Sequence, residues 1–317
     1  MANIVVVGSL NMDLVARAPR IPVVGETIIG DGYFAEPGGK GANQAYASAR
    51  LGGKVAMIGC VGRDEFGKRM RDNLSSAGCD VSSVSAEPGS SGVALIFVSS
   101  TGQNSIVVVS GANARLKPEH IQQNERCLTN IKVLLLQLES PMSAVIAAAK
   151  AARKAGAMVI LDPAPAPSYA LPPELLQNIE ILTPNETEGT ALAGLPPGRL
   201  DPDKAAKVGN FLRNLGVPTV IMKLGEQGCM IFSDRGGSLL ETPNVNAIDT
   251  TAAGDVFNGA LSVALSEGQD LQSACRFANN AAALSVTRPG AQIAAPSRSE
   301  VEIFQAEQLA NKASISK

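Results

Sequence analysis

The run Asp249-Thr250-Thr251-Ala252-Ala253-Gly254-Asp255 sets a carboxylate directly behind three residues with little or no side chain, just ahead of Val256-Phe257-Asn258-Gly259-Ala260. It reads as a helix start. There the backbone N–H groups of Ala252, Ala253 and Gly254 can approach an anion, and the helix N-terminus adds a partial positive charge. Asp255 would face the same spot as a base, because an alcohol attacking a phosphoryl group must shed its proton to an acceptor within hydrogen-bond reach. The same residues also suit an ordinary capped helix, since Asp and Thr favour helix starts.

Other chemistry-bearing residues recur in turns that follow apolar runs. Gly8-Ser9-Leu10-Asn11-Met12-Asp13 follows Ile4–Val7, and an extended chain would point Asn11 and Asp13 to one side, beyond the strand end. An amide beside a carboxylate suits a polyhydroxyl ligand, whose hydroxyls both donate and accept, although Asn and Asp equally stabilise local turns. Pro37-Gly38-Gly39-Lys40-Gly41-Ala42-Asn43-Gln44 is a glycine-rich turn opening a helix, with Lys40 and Asn43 at its mouth. Glu139 directly follows the run Val133–Leu138. Asn185 and Glu188 lie a helical turn apart after Ile179–Leu182, a spacing that fits magnesium ligation, direct or through water, and fits a helix cap as well. Lys223-Leu224-Gly225-Glu226-Gln227-Gly228 follows Thr219–Met222 as a turn whose backbone can meet a nucleotide.

The elements that must position these residues are strands buried on both faces. Ile4–Val7, Val55–Ile58, Val133–Leu138, Met158–Leu161, Ile179–Leu182 and Thr219–Met222 are nearly unbroken apolar runs. Helix-like segments at Gly41–Leu51, Phe66–Ala77, Pro141–Ala155 and Asp203–Leu215 are long enough for parallel crossovers. The alternation predicts an α/β fold, a doubly wound, mostly parallel sheet flanked by helices. Ligands of such sheets gather at the carboxyl ends of the strands, where every motif above falls. After Thr250 the pattern turns helical, at Ala253–Ser266, Leu271–Val286 and Arg298–Ala310.

Two stretches break the rhythm. Residues 14–36 are rich in Pro and Gly among extended-type residues, and residues 92–110 read as a β-hairpin turning at Ser100-Thr101-Gly102. Both are expected in a small β-sheet lid inserted in a single unit spanning 1–317; edge strands of the main sheet are the other reading. So apolar a sheet invites a second copy, which predicts a homodimer through the lid.

Composition narrows the function. A net charge of -2 and 3% aromatic residues give neither a basic field nor a stacking platform for nucleic acid. No apolar stretch reaches membrane-spanning length, and Met1 to Gly8 carries no charged leader, so a soluble cytoplasmic protein is expected. The scattered cysteines Cys60, Cys79, Cys127, Cys229 and Cys275 show no ligand spacing and read as reduced core residues. The single histidine, His120, reads as a surface residue at a helix start, leaving acid–base work to carboxylates or lysines. Neither a Walker A loop nor a Rossmann G-x-G-x-x-G is present, which disfavours a nicotinamide-dependent dehydrogenase.

With Val7 to Asp13, Gly38 to Gln44, Asn185 to Glu188 and Asp249 to Asp255 in hand, the chain resembles the ribokinase-like (PfkB) carbohydrate kinases along essentially its whole length, nearest the ribose-phosphorylating branch. The resemblance implies ATP-dependent phosphorylation of D-ribose at O5, with Asp255 as base and the amides of Ala252, Ala253 and Gly254 as anion hole. It assigns the sugar to Asn11, Asp13, Gly39, Lys40, Gly41, Ala42, Asn43, Glu139 and Asp255. It assigns ATP to Asn185, the turn from Lys223 through Leu224, Gly225, Glu226 and Gln227 to Gly228, Gly254 and Asn279. Glu188 would order Mg2+ through water. Asp249, Thr251, Ser285, Arg288, Gly290 and Ala294 match the family's K+ site, many through backbone carbonyls. Three positions depart from the pattern: Lys223 stands where Thr is common, Asn279 where His is frequent, and Ala294 where a hydroxyl is common. A sister kinase for deoxyribose, fructose, ketodeoxygluconate or a nucleoside, or a non-catalytic sugar or nucleotide sensor, are the alternatives.

Overall fold

The computed structural model describes residues 2–315; Met1, Ser316 and Lys317, the ends of the expected 1–317 unit, lie outside the described residues. The strands are β1 (Ile4–Val7), β2 (Asn11–Ala18), β3 (Gly32–Gly38), β4 (Val55–Gly62), β5 (Val84–Glu87), β6 (Gly92–Ser99), β7 (Asn104–Val109), β8 (Val133–Leu136), β9 (Met158–Leu161), β10 (Ile181–Leu182), β11 (Thr219–Lys223), β12 (Cys229–Ser233) and β13 (Gly236–Leu240). The helices are α1 (Lys40–Arg50), α2 (Glu65–Ser76), α3 (Pro118–Gln123), α4 (Glu125–Leu128), α5 (Met142–Lys154), α6 (Pro173–Leu176), α7 (Glu186–Leu192), α8 (Pro202–Asn214), α9 (Ala253–Ser266), α10 (Leu271–Ser285) and α11 (Arg298–Ile315).

The main sheet runs β13-β12-β11-β10-β9-β8-β1-β4-β5. Its pairs are parallel from β11 to β5, while β12 and β13 are added antiparallel at one edge. Alternation along β1 explains the two cores: Ile4 and Val6 enter one, with α1, α9 and α10, and Val5 and Val7 enter the other, with α5 and α8. A strand with both faces covered has no room for polar residues, so the apolar runs are unbroken. Strands β5, β12 and β13, absent from the sequence reading, carry half-exposed positions and so lack that signature.

The second sheet runs β3-β2-β6-β7. Its strands begin before and end after the expected 14–36 segment, because β2 starts at Asn11 and β3 ends at Gly38. Asn11 and Asp13 are therefore not a turn beyond β1. They are ladder positions of the small sheet, opposite Gly38 and Glu36 of β3.

His120 corrects a second expectation. Its side chain is only 16% exposed. Nδ1 accepts the Lys117 N–H at 3.0 Å, so the ring proton sits on Nε2, which donates to Glu87 Oε1 at 3.2 Å. Burial, then the Glu87 charge, pushes the neighbouring Cys60 thiol up to about 12. Cys60, Glu87 and His120 form a ligand-like cluster among the described residues, yet two of its three donor atoms carry protons. The His120–Glu87 hydrogen bond ties α3 to β5.

Candidate active site

The loop before α9 is pinned from both ends. Asp249 Oδ1 accepts the Thr251 N–H and Oδ2 the Gly290 N–H, both at 2.9 Å, and the Ile248 N–H reaches the Val286 carbonyl at 2.7 Å. Burial works to raise the Asp249 carboxyl, but the hydrogen bonds from Thr251 and Gly290 outweigh it and hold the group below its ordinary range. Ala252 then turns into the left-handed region, φ 59°, as the N-cap of α9. The Ala253 N–H bonds the Thr250 carbonyl at 3.3 Å, whereas the N–H groups of Ala252 and Gly254 have no acceptor among the described residues. These are the orphan donors of a helix start.

Asp255, in the first turn of α9, is buried. Its Oδ2 accepts from Asn43 Nδ2 at 3.1 Å and its Oδ1 from Gln44 Nε2 at 3.0 Å. Burial raises its proton affinity; the Lys40 ammonium and the two amides partly offset that, and Asp162 adds to it. Gln292 Nε2 holds Asn43 Oδ1 at 3.0 Å, so the amide that steers Asp255 is itself fixed.

Opposite lie the ends of β1 and β3 and the start of α1. Gly39, at φ 88°, starts α1 where a Cβ would come within 2.6 Å of the Asn11 nitrogen. At Gly41 a Cβ would lie 2.7 Å from the Gly8 carbonyl carbon and the Ser9 nitrogen. Helix and strand end thus touch backbone to backbone, with Gly41 and Ala42 buried in the seam. Glu139 Oε2 accepts from Ser9 Oγ at 2.6 Å and from the Lys40 N–H at 3.2 Å. Asn11 Oδ1 takes an Asn113 Nδ2–H at 2.8 Å. Burial, followed by the charges of Glu36, Glu139 and Asp255, raises the Asp13 carboxyl to about 7. Burial alone would lower the Lys40 ammonium, but Asp255, Asp162, Glu139 and Glu188 surround it and hold it firmly protonated.

On the other side of Gly254 opens a cavity of about 690 Å³, lined by Lys223, Gly225, Gly228, Asn244, Gly254 and Asn279 among others. Leu224 is packed in the core, and its N–H bonds the Gly228 carbonyl at 2.8 Å. Glu226 lines the cavity and Gln227 does not. Asn279 Nδ2 donates to the Leu240 carbonyl at 2.9 Å, tying α10 to the end of β13. Asn185 and Glu188 stand outside the cavity as a reciprocal cap on α7: Asn185 Oδ1 accepts the Glu188 N–H at 2.8 Å, and Glu188 accepts the Asn185 N–H at 2.7 Å and side-chain amide at 2.9 Å. Burial raises the Glu188 carboxyl against the pull of Lys223. Around Asp249, Thr251 and Gly290 are in direct contact. The Arg288 guanidinium is held by Glu300 at 2.6 Å, so Arg288, like Ala294, offers only a carbonyl oxygen, while Ser285 Oγ donates to the Ala282 carbonyl at 2.8 Å and keeps its lone pairs.

The sequence pattern of the pfkB family of carbohydrate kinases matches residues 1–298. The chain belongs to the pfkB family. It is 43% identical over 305 residues to ribokinase of Haemophilus influenzae, covering 95% of this chain and 98% of that one. Among solved structures, ribokinase of Thermotoga maritima superposes with a TM-score of 0.87 at 39% identity, covering 96% of this chain and 100% of the other. Arabidopsis thaliana ribokinase, solved with ribose and ATP, superposes at 0.88 with 36% identity, covering 96% and 98%.

In this pfkB kinase the sequence reading missed Asp162, Gln44 and the wall of the cavity at Thr242, Asn244 and Phe257. Asp162 was findable: it follows β9 directly, as Glu139 follows the run through β8. Gln44 looked like one more polar residue in a glycine-rich turn. Residues 241–250 carry neither period and reach the site only because β13 and α10 bracket them.

Proposed function

We propose that this chain transfers the γ-phosphoryl group of ATP to O5 of D-ribose. The observation that carries the reading is Asp255: a buried carboxylate of raised proton affinity, aimed by Asn43 and Gln44, beside the free helix-start amides of Ala252 and Gly254, the second of which borders a cavity. Ribose binds between Asn11, Asp13, Gly39, Lys40, Asn43 and Glu139, over Gly41 and Ala42. ATP enters the cavity along Lys223 to Gly228, Gly254 and Asn279, with Asn185 beside Lys223 at its margin. The amides of Ala252 and Gly254, joined by that of Ala253 when it leaves Thr250, face the phosphoryl group.

In the transfer, Asp255 takes the proton of the ribose 5-hydroxyl as O5 bonds to the γ-phosphorus and the bond to the β–γ bridging oxygen breaks. ADP and ribose 5-phosphate leave, and Asp255 returns its proton to solvent. Lys40 offsets charge on the sugar side. Mg2+, when bound, neutralises the phosphate chain. Glu188 fits it through water, because both carboxylate oxygens already accept hydrogen bonds from Asn185. K+ fits behind the loop, where ionised Asp249 and carbonyls of Thr251, Ser285, Arg288, Gly290 and Ala294 form an all-oxygen set suited to a hard cation. The small sheet acts as a lid and pairs two copies into a homodimer in the cytoplasm; five free cysteines fit that reducing compartment.

The test is ATP turnover against ribose, deoxyribose, fructose, ketodeoxygluconate and nucleosides, with and without potassium. Ribose is expected to give the highest kcat/KM, with potassium raising it. Preference for another sugar would assign a sister activity, and no ATP consumption with any sugar would leave a sensor.

A further inference from the structure

Lys223 ends β11 with its side chain 12% exposed, and its Nζ lies 2.9 Å from Oδ1 of Asp162, which is 3% exposed. The other Asp162 oxygen accepts from Gln44 Nε2 at 3.0 Å, the same amide nitrogen that reaches Asp255 Oδ1. Gln44 Oε1 in turn accepts from Gln137 Nε2 at 2.6 Å, fixing its rotamer. One connected network therefore joins Lys223, Asp162, Gln44 and Asp255. A Cβ built on Gly254 would lie 3.3 Å from Lys223 Nζ, so the ammonium sits directly over a residue whose N–H has no acceptor among the described residues, and both residues line the cavity.

An ion pair so little exposed is costly to desolvate and weak evidence of stabilisation on its own. It makes physical sense where the ammonium serves an anion. An ammonium carries three donors, of which Asp162 takes one among the described residues. Lysine is a compact point charge on a flexible stem, suited to following a phosphoryl group as it moves. Fixed charge at the point where charge spreads over transferring oxygens acts without reorganisation.

We propose that Lys223 is a catalytic residue for phosphoryl transfer, its ammonium held over Gly254 by Asp162 to contact the transferring group, with Asp162 the positioning residue that also couples it through Gln44 to Asp255. The proposal rests on the phosphoryl-transfer reading above. On arrival of the nucleotide the ammonium keeps one hydrogen bond to Asp162, and its remaining donors turn to phosphate oxygens.

The experiment compares wild type with Lys223→Met, Lys223→Arg, Lys223→Gln and Asp162→Asn in steady-state kinetics, with thermal melting and calorimetric titration of adenosine and ATP. Lys223→Met is expected to lower kcat by about 10²–10³-fold, leave the ribose KM within about twofold, and weaken ATP but not adenosine. Lys223→Arg should recover part of kcat because the charge survives. Asp162→Asn should lower kcat less and leave adenosine binding unchanged. A kcat for Lys223→Met within about threefold of wild type overturns the proposal. So does loss of adenosine and ATP affinity in step with a fall in melting temperature, the mark of a structural pair; should the Met variant not fold, Lys223→Gln decides by the same criteria. The kinetics use the best sugar found for wild type, so inactivity of wild type with ribose counts against the ribose reading alone.

Discussion

Asp255, buried, and Asp13, half-buried, are both carboxylates with raised proton affinity, and they are expected to respond differently to change. Asp255→Asn keeps the size and loses the base, so kcat should fall by about 10²–10⁴-fold while calorimetry finds ribose affinity nearly unchanged. Retained turnover would remove Asp255 from the proton transfer. Asp13 has an ordinary value of 3.8 and is raised to about 7. The folded state therefore binds its proton more tightly than the unfolded chain, and stability falls as pH rises through that window, with the full penalty above it. Sugar hydroxyls donating to Asp13 favour the ionised form, so the ribose KM should fall as pH rises through about 7. Asp13→Asn should abolish that inflection and raise the melting temperature measured without sugar at pH above 7, the usual trade of stability for a binding charge. A pH-independent wild-type KM would show that Asp13 does not meet the sugar.

At the scale of elements, the site depends on how closely α1 approaches the end of β1. Gly41 faces that strand end directly, and the atoms that a Cβ would meet at 2.7 Å are backbone and cannot rotate away. Gly41→Ala is expected to destabilise the protein by about 1–3 kcal/mol in denaturant melts and to raise the ribose KM more than the ATP KM, because it displaces Lys40 and Asn43. Equal changes in both KM values would indicate a general loss of packing. The same seam shows what was readable along the chain. Gly38 to Gln44 announced a glycine-rich helix start, but that Asn11 and Asp13 face it as ladder residues of β2 depends on pairing with Gly38 and Glu36 of β3, 27 and 23 positions downstream, which local spacing does not report.

At the scale of the whole molecule, the fold leaves an apolar face of the small sheet uncovered. Edge strand β7 is exposed throughout, with Ile106, Val107, Val108 and Val109 each about half exposed beside Leu95 and Phe97 of β6. An edge of this composition needs a partner, and a second copy of the same sheet offers a matching one. Light scattering should give twice the 32.6 kDa chain mass, and Val107→Lys should shift it to the monomer. A wild-type monomer at assay concentration would leave the face without that role.

Short-range chemistry was legible in the sequence: the buried strands from their unbroken apolar runs, the crossover helices from their length, and the anion-friendly start of α9 from Ala252 to Asp255. The folded molecule alone decided which distant groups meet. Asp162 and Lys223 lie sixty-one positions apart and Gln44 and Asp255 two hundred and eleven, so their union comes from the order of parallel strands, which brings the carboxyl ends of β1, β9 and β11 and the start of α9 to one rim. His120 is the converse case: alone in the sequence it looked like a surface residue, and only the meeting of α3 with β5 made it a half-buried partner of Glu87. Residue type and local period are properties of neighbours in the chain, whereas protonation, burial and partnership are set by neighbours in space.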